Sequence, residues 1–272
     1  MQSLPLVAAG LALLVLTSVD FALTTLGATA RPRLSGAAAR TTFALLDLGS
    51  RVLPRGPLAR LAGPAVMLSV AGAWIAGFIF GWALLYAGLG RTVTVEGNAT
   101  PGFWDIWAHV GHLLSTLGGA TTQPNGTLWN AMDVLIGVNG MAALTLTMSF
   151  LLSTTQAVNA SRALARRVLL DGRPEDPLGY EAEIAQIVSQ IQAAPFALYY
   201  SHPDPATRFP AALEQLAVAA EARDAATARR MAGLVAGLPG LPTDAETGDF
   251  SGCVRRWHGR YTLGRDPITS PL

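Results

Sequence analysis

The sequence predicts an all-α membrane protein: three transmembrane helices, one short re-entrant helix with the loop that follows it, and a helical cytoplasmic tail. Three observations predict this. The chain of 272 residues is 51% hydrophobic and 14% charged, against roughly 25% charged in an ordinary soluble domain. Its charges are also unevenly placed, with seven Arg and five acidic residues in 1–160 and twelve Arg and thirteen acidic residues in 161–272. Finally, three windows are nearly free of charge: 1–30 holds Asp20 alone, and 61–90 and 134–161 hold none.

Each window exceeds the ~20 apolar residues a helix needs to cross a bilayer. Backbone groups facing lipid must bond within their own segment, so all three are expected as helices, near Leu4–Leu26, Pro64–Leu89 and Asn130–Gln156. A cleaved leader competes for the first window, because Ala28-Thr29-Ala30 has the small residues of a cleavage site. Against it, Met1–Pro5 carries no positive charge, and six arginines from Arg31 to Arg60 follow the apolar run. Arginines behind an apolar segment hold that side in the cytoplasm. The expected topology is N-terminus outside and C-terminus cytoplasmic, in the cell inner (plasma) membrane. The expected division is an N-terminal transmembrane helix at 1–30, a cytoplasmic Arg-rich loop at 31–60, a membrane domain at 61–157, a cytoplasmic helical tail at 158–240 and an irregular C-terminus at 241–272.

Between the second and third spans, Phe103–Leu117 has apolar residues at helical spacing but is too short to span. Pro101-Gly102 marks the break before it, and Asp105 suits the positive end of a helix. Gly118, Gly119 and Ala120 follow, then a polar turn from Thr121 to Gly126. Such a segment at membrane depth is tolerated where protein buries it or where it lines water.

At these residues the chain resembles the pore-loop cation channels. The order of span, short helix, glycine-rich loop and span runs from Pro64 to Gln156, and Ser115-Thr116-Leu117-Gly118-Gly119-Ala120-Thr121 resembles the potassium-channel filter signature. Trp129–Gly137 is similar to the opening of the inner helix in bacterial two-helix-per-pore potassium channels. The resemblance implies a pore helix at 103–115 and a filter at 116–121, in which Thr116, Leu117, Gly118, Gly119, Ala120 and Thr121 conduct monovalent cations, potassium first, past main-chain carbonyls. One chain supplies one loop, which implies a homotetramer in the lipid bilayer. The sequence departs from the signature at Gly119, where the family has tyrosine, at Ala120, where it has glycine, and at Thr121, where it has aspartate. An alanine forced into the left-handed conformation costs about 1–2 kcal/mol. A wider or collapsed filter follows from these departures, and the second reading is a non-conducting homologue acting as an assembly or sensor subunit.

Other polar residues admit two readings each. Asp105, His109 and His112 share a helix face, as metal ligands would, but pore helices also use such side chains to bond their loop. Asn139 either lines the cavity below the filter or bonds a neighbouring helix, with Gly137 and Gly140 permitting close packing. Asp20, within a span, is expected to be structural, with Arg31 or Arg33 reaching back to it. The first span has no arginine ladder, which excludes a voltage sensor. No nucleophile, base and orienter fall together, so no enzyme is expected. No cofactor or metal is expected either, and a net charge of +1 offers no basis for binding nucleic acid. The tail lacks a glycine-rich nucleotide fingerprint.

Overall fold

A computed structural model describes residues 3–26, 33–95, 100–117, 122–172, 175–242 and 249–263. Three helices are long and apolar enough to cross a membrane: α1 (Leu4–Thr25), α3 (Arg55–Leu89) and α5 (Thr127–Asp171). Between the first two lies α2 (Leu34–Gly49), and between the last two lie β1 (Val93–Val95), α4 (Phe103–Leu114) and β2 (Thr122–Pro124). The tail adds α6 (Glu181–Ala193), α7 (Phe209–Arg223), α8 (Ala225–Val235) and α9 (Phe250–Arg260). The chain divides into two compact units, one of Met1–Leu26, Ala30–Gly36 and Val70–Phe150, the other of Gly27–Thr29, Ala37–Ser69 and Leu151–Leu272.

In the first unit α1 packs against α3 through glycines whose missing side chains let the backbones meet. A Cβ on Gly10 would stand 2.6 Å from the Leu85 nitrogen, and one on Gly88 would stand 2.7 Å from the Val7 nitrogen. With no hydrophobic force between helices in lipid, such close approach supplies the dispersion contact that holds them together. Phe21 of α1 completes the seam, edge-on to Trp74 at 5.0 Å and to Phe78 at 5.7 Å.

Asp20 is structural, as expected, but its partners differ from those expected. Its carboxylate accepts from the Leu34 N–H at 2.7 Å, the Ser35 N–H at 3.0 Å and the Trp74 indole at 3.1 Å. It therefore caps the N-terminus of α2, where free N–H groups and the helix dipole favour an anion. Arg33 is exposed, and Arg31 lies outside the described residues. Replacing Asp20 with leucine is expected to cost about 2–5 kcal/mol, about 1–2 for the lost cap and about 1–3 for the buried Trp74 indole left without an acceptor. Asparagine should keep most of it. Thermal unfolding of the two purified variants checks this, and equal melting temperatures would contradict the capping role.

The second unit corrects three boundaries. The stretch 31–60, expected as a loop, carries α2 and the first turns of α3; Ala39 and Phe43, four residues apart, are both buried. Pro64 lies inside α3 instead of opening it. The stretch 241–272, expected to be irregular, contains α9, whose Phe250, Cys253, Val254 and Trp257 are buried at helical spacing. The Trp257 indole donates to the Pro239 carbonyl at 2.9 Å. These side chains join Ile184, Ile187 and Ile191 of α6, Leu213 and Leu216 of α7, and Met231 and Val235 of α8 in one core, together with Leu164 and Val168 of α5.

Between α7 and α9, Glu214 pairs with His258 Nδ1 at 2.8 Å and accepts from Arg255 Nε at 2.8 Å. The bond to His258, aided by Arg255, holds the Glu214 carboxyl below the usual carboxylate range. A carboxyl depressed on folding contributes stability above its unfolded pKa, and that stability is lost as pH falls through the depressed value. Glu214→Gln should therefore melt at a lower temperature than the wild type near neutrality, with the two converging as acid is added. A constant gap across the acid range, measured by calorimetry, would contradict this.

Candidate functional site

The candidate site is α4 and the loop that leaves it. Gly102 precedes the helix in extended conformation, and the Asp105 carboxylate accepts from the Gly102 N–H at 2.8 Å, satisfying a donor at the helix start. Ile106, His109 and Val110 are buried while Trp104 is exposed, so α4 has one inward face. That face packs with Ala83 and Tyr86 of α3, Val93 of β1 and Ile136 of α5.

The inward face carries a polar brace. The Tyr86 hydroxyl donates to Asp133 Oδ1 at 2.8 Å, His109 Nε2 pairs with Asp133 Oδ2 at 3.1 Å, and His109 Nδ1 pairs with the Thr122 hydroxyl at 2.9 Å. A carboxylate only accepts, so His109 Nε2–H is the donor to Asp133. His109 is 1% exposed and Asp133 7%. The four residues come from α3, α4, β2 and α5, and each polar atom meets a partner, which makes such a network rigid.

Both ends of the loop between α4 and β2 are held. At the first end, Thr116 N–H donates to the Leu113 carbonyl at 3.1 Å and Leu117 N–H to the His112 carbonyl at 2.9 Å. This is the glycine-type helix stop, made here by a threonine with φ of +63°. A β-branched residue in that region is strained by about 1–2 kcal/mol. Leu114 lies so close to α5 that a Cβ on Gly140 would overlap its carbonyl oxygen. At the other end, β2 pairs antiparallel with β1, Val95 opposite Thr122 and Val93 opposite Pro124. Asn125 Nδ2 adds a bond to the Arg91 carbonyl at 2.8 Å.

Of the residues implied by the resemblance, Thr116 and Leu117 are exposed at the loop's start, Leu117 at 77%. Gly118, Gly119, Ala120 and Thr121 lie outside the described residues. The Asn139 Oδ1 is buried and has no hydrogen-bond partner among the described residues. Gly140 makes the close approach expected of it, whereas Gly137 has open space beside it. Asp105, His109 and His112 form no ligand set: Asp105 is committed to Gly102, His109 to Thr122 and Asp133, and among the described residues no three acidic, His or Cys side chains gather. Sequence reasoning missed Tyr86 and Thr122, and it missed the pairing of His109 with Asp133. The available signal was a lone carboxylate at the head of a charge-free span, which must find a donor.

No family model matches the chain, and no solved structure matches it. Over 164 residues, 59% of its length, it is 30% identical to the uncharacterized membrane protein YdjJ of Bacillus subtilis (strain 168). The chain covers 47% of that protein, so it spans about half the length of the relative it matches. The apolar helices and this likeness agree on a membrane setting.

Proposed function

We propose that this chain is one subunit of a tetrameric cation channel, potassium-channel-like, whose pore is the loop 116–121 contributed by each copy. The observation that carries the reading is the loop held at both ends: a short helix braced from behind by Tyr86, His109 and Asp133, stopped at Thr116, and resumed at Thr122 in a strand. A cation gives up water only where oxygens replace it, and rings of backbone carbonyls from several loops supply such oxygens. The C-terminal end of α4 at Leu114 adds partial negative charge that favours cations. The arginine distribution orients the chain with its N-terminus outside and its tail in the cytoplasm, in the cell inner membrane.

Reconstitution in liposomes tests the reading. Flux of potassium, sodium and a large organic cation is compared for the wild type and Gly118→Trp. The expected result is potassium flux at least tenfold above empty vesicles, abolished by the tryptophan. Folded tetramers passing none of the three ions would overturn conduction and leave the chain an assembly or sensor subunit, to which the substitutions at Gly119, Ala120 and Thr121 already point.

A further inference from the structure

The second unit holds a buried positive pocket that the channel reading does not use. Arg208 is 4% exposed. One of its terminal nitrogens donates to the Tyr261 carbonyl, the other reaches the Thr262 hydroxyl at 3.4 Å, and its Nε has no partner among the described residues. Among those residues no carboxylate pairs with Arg208 or with the half-buried Arg162 beside it. Burial, and then the like charge of Arg162, pull the Arg208 guanidinium down to about 10. Both effects are what a buried cation without a counter-charge feels.

Other donors converge on the same place. A small pocket is lined by Ser161 and Arg162 of α5, by Tyr200 and Arg208, and by Phe209 and Pro210 at the start of α7. The Ser161 hydroxyl is buried and has no partner among the described residues. α7 begins there with Arg208 at its N-cap, but Pro210 has no N–H and the Ala211 and Ala212 N–H groups donate to the Arg208 carbonyl, so the donors facing the pocket are side chains. Two guanidinium groups and a hydroxyl thus line the pocket, and its lining holds no carboxylate.

We propose that this pocket binds a phosphate group, with Arg208 as its buried anchor and Arg162 closing over it. A doubly charged tetrahedral oxyanion balances the two cations and takes donors from several directions, and guanidinium forks match phosphate geometry. The group comes either from a soluble phosphate or from a lipid headgroup, since Ser161 and Arg162 lie within two turns of Gln156, where the expected span ends. Binding here does not depend on ion conduction.

The test uses the full chain. In detergent at constant ionic strength, inorganic phosphate is titrated against chloride while the melting temperature is followed; in parallel, the protein is melted in nanodiscs of choline lipid with and without phosphatidic acid. A saturable rise with phosphate identifies a soluble ligand, and a rise with phosphatidic acid alone identifies the lipid; either supports the pocket if Arg162→Gln and Ser161→Ala each weaken it tenfold or more. Arg162 is half-buried and can be replaced without opening the core, which keeps the test valid should Arg208→Met fail to fold. Equal responses to chloride and phosphate with no response to phosphatidic acid, or wild-type responses in both variants, would overturn the proposal.

Discussion

Replacing Asp133 with leucine is expected to lower the stability of the protein by about 2–5 kcal/mol. The carboxylate accepts from the Tyr86 hydroxyl and from His109, and both donors are buried where no water replaces it. Each donor left without an acceptor costs about 1–3 kcal/mol. Tyr86→Phe removes one donor and leaves Asp133 bonded to His109, so it should cost about 1 kcal/mol. Because the two residues share one network, the double variant should be no worse than Asp133→Leu alone. Thermal unfolding in mild detergent checks the order. If Asp133→Leu melts within a degree of the wild type, the brace contributes no stability.

Gly140→Leu should displace the end of α4 and, with it, the loop. A Cβ at this position overlaps the Leu114 carbonyl oxygen, a backbone atom that moves only if the helix moves. Overpacking of this kind costs about 1–3 kcal/mol. It should also reduce cation flux per reconstituted protein more than tenfold, since a shift of an ångström at such a site is felt strongly. Gly137→Leu is the control: three residues earlier on the same helix, with nothing within 4 Å of its Cβ, it should change stability by under about 0.5 kcal/mol. Equal behaviour of the two variants would contradict the packing of α4 against α5.

The long helices were legible because a bilayer demands some twenty predominantly apolar residues in a row; 106–132 is equally free of charged side chains, but its glycine-rich and polar stretch from Gly118 to Gly126 interrupts the apolar run. Their full lengths were not. Charge marks where a helix leaves the membrane but not where it ends, and α5 runs on from Gln156 to Asp171 through arginines that are good helix formers. In 31–60 the arginines suggested a loop and hid the spacing of Ala39 and Phe43. At α9, Gly252 and Gly259 masked the periodic Phe250, Val254 and Trp257. The short helix at 103–114 was legible from its apolar period and from Gly102 and Asp105 at its start. The brace was not, because Tyr86, Thr122 and Asp133 reach His109 from three other elements, and Tyr86 and Asp133 stand 47 positions apart. Periodicity assigns a face to His109 but names no partner for it.

In the proposed channel, loops from four copies meet around one axis. Cross-linking tests this arrangement through Leu117→Cys, an exposed position at the loop's start, in a Cys253→Ser background, with the protein in lipid. A short bifunctional thiol reagent should yield a ladder of products ending at four chains, while a cysteine at exposed Leu170 in the same background serves as the reference. A single uncross-linked band from Leu117→Cys, in protein whose thiols are fully labelled, would contradict a pore shared by four copies.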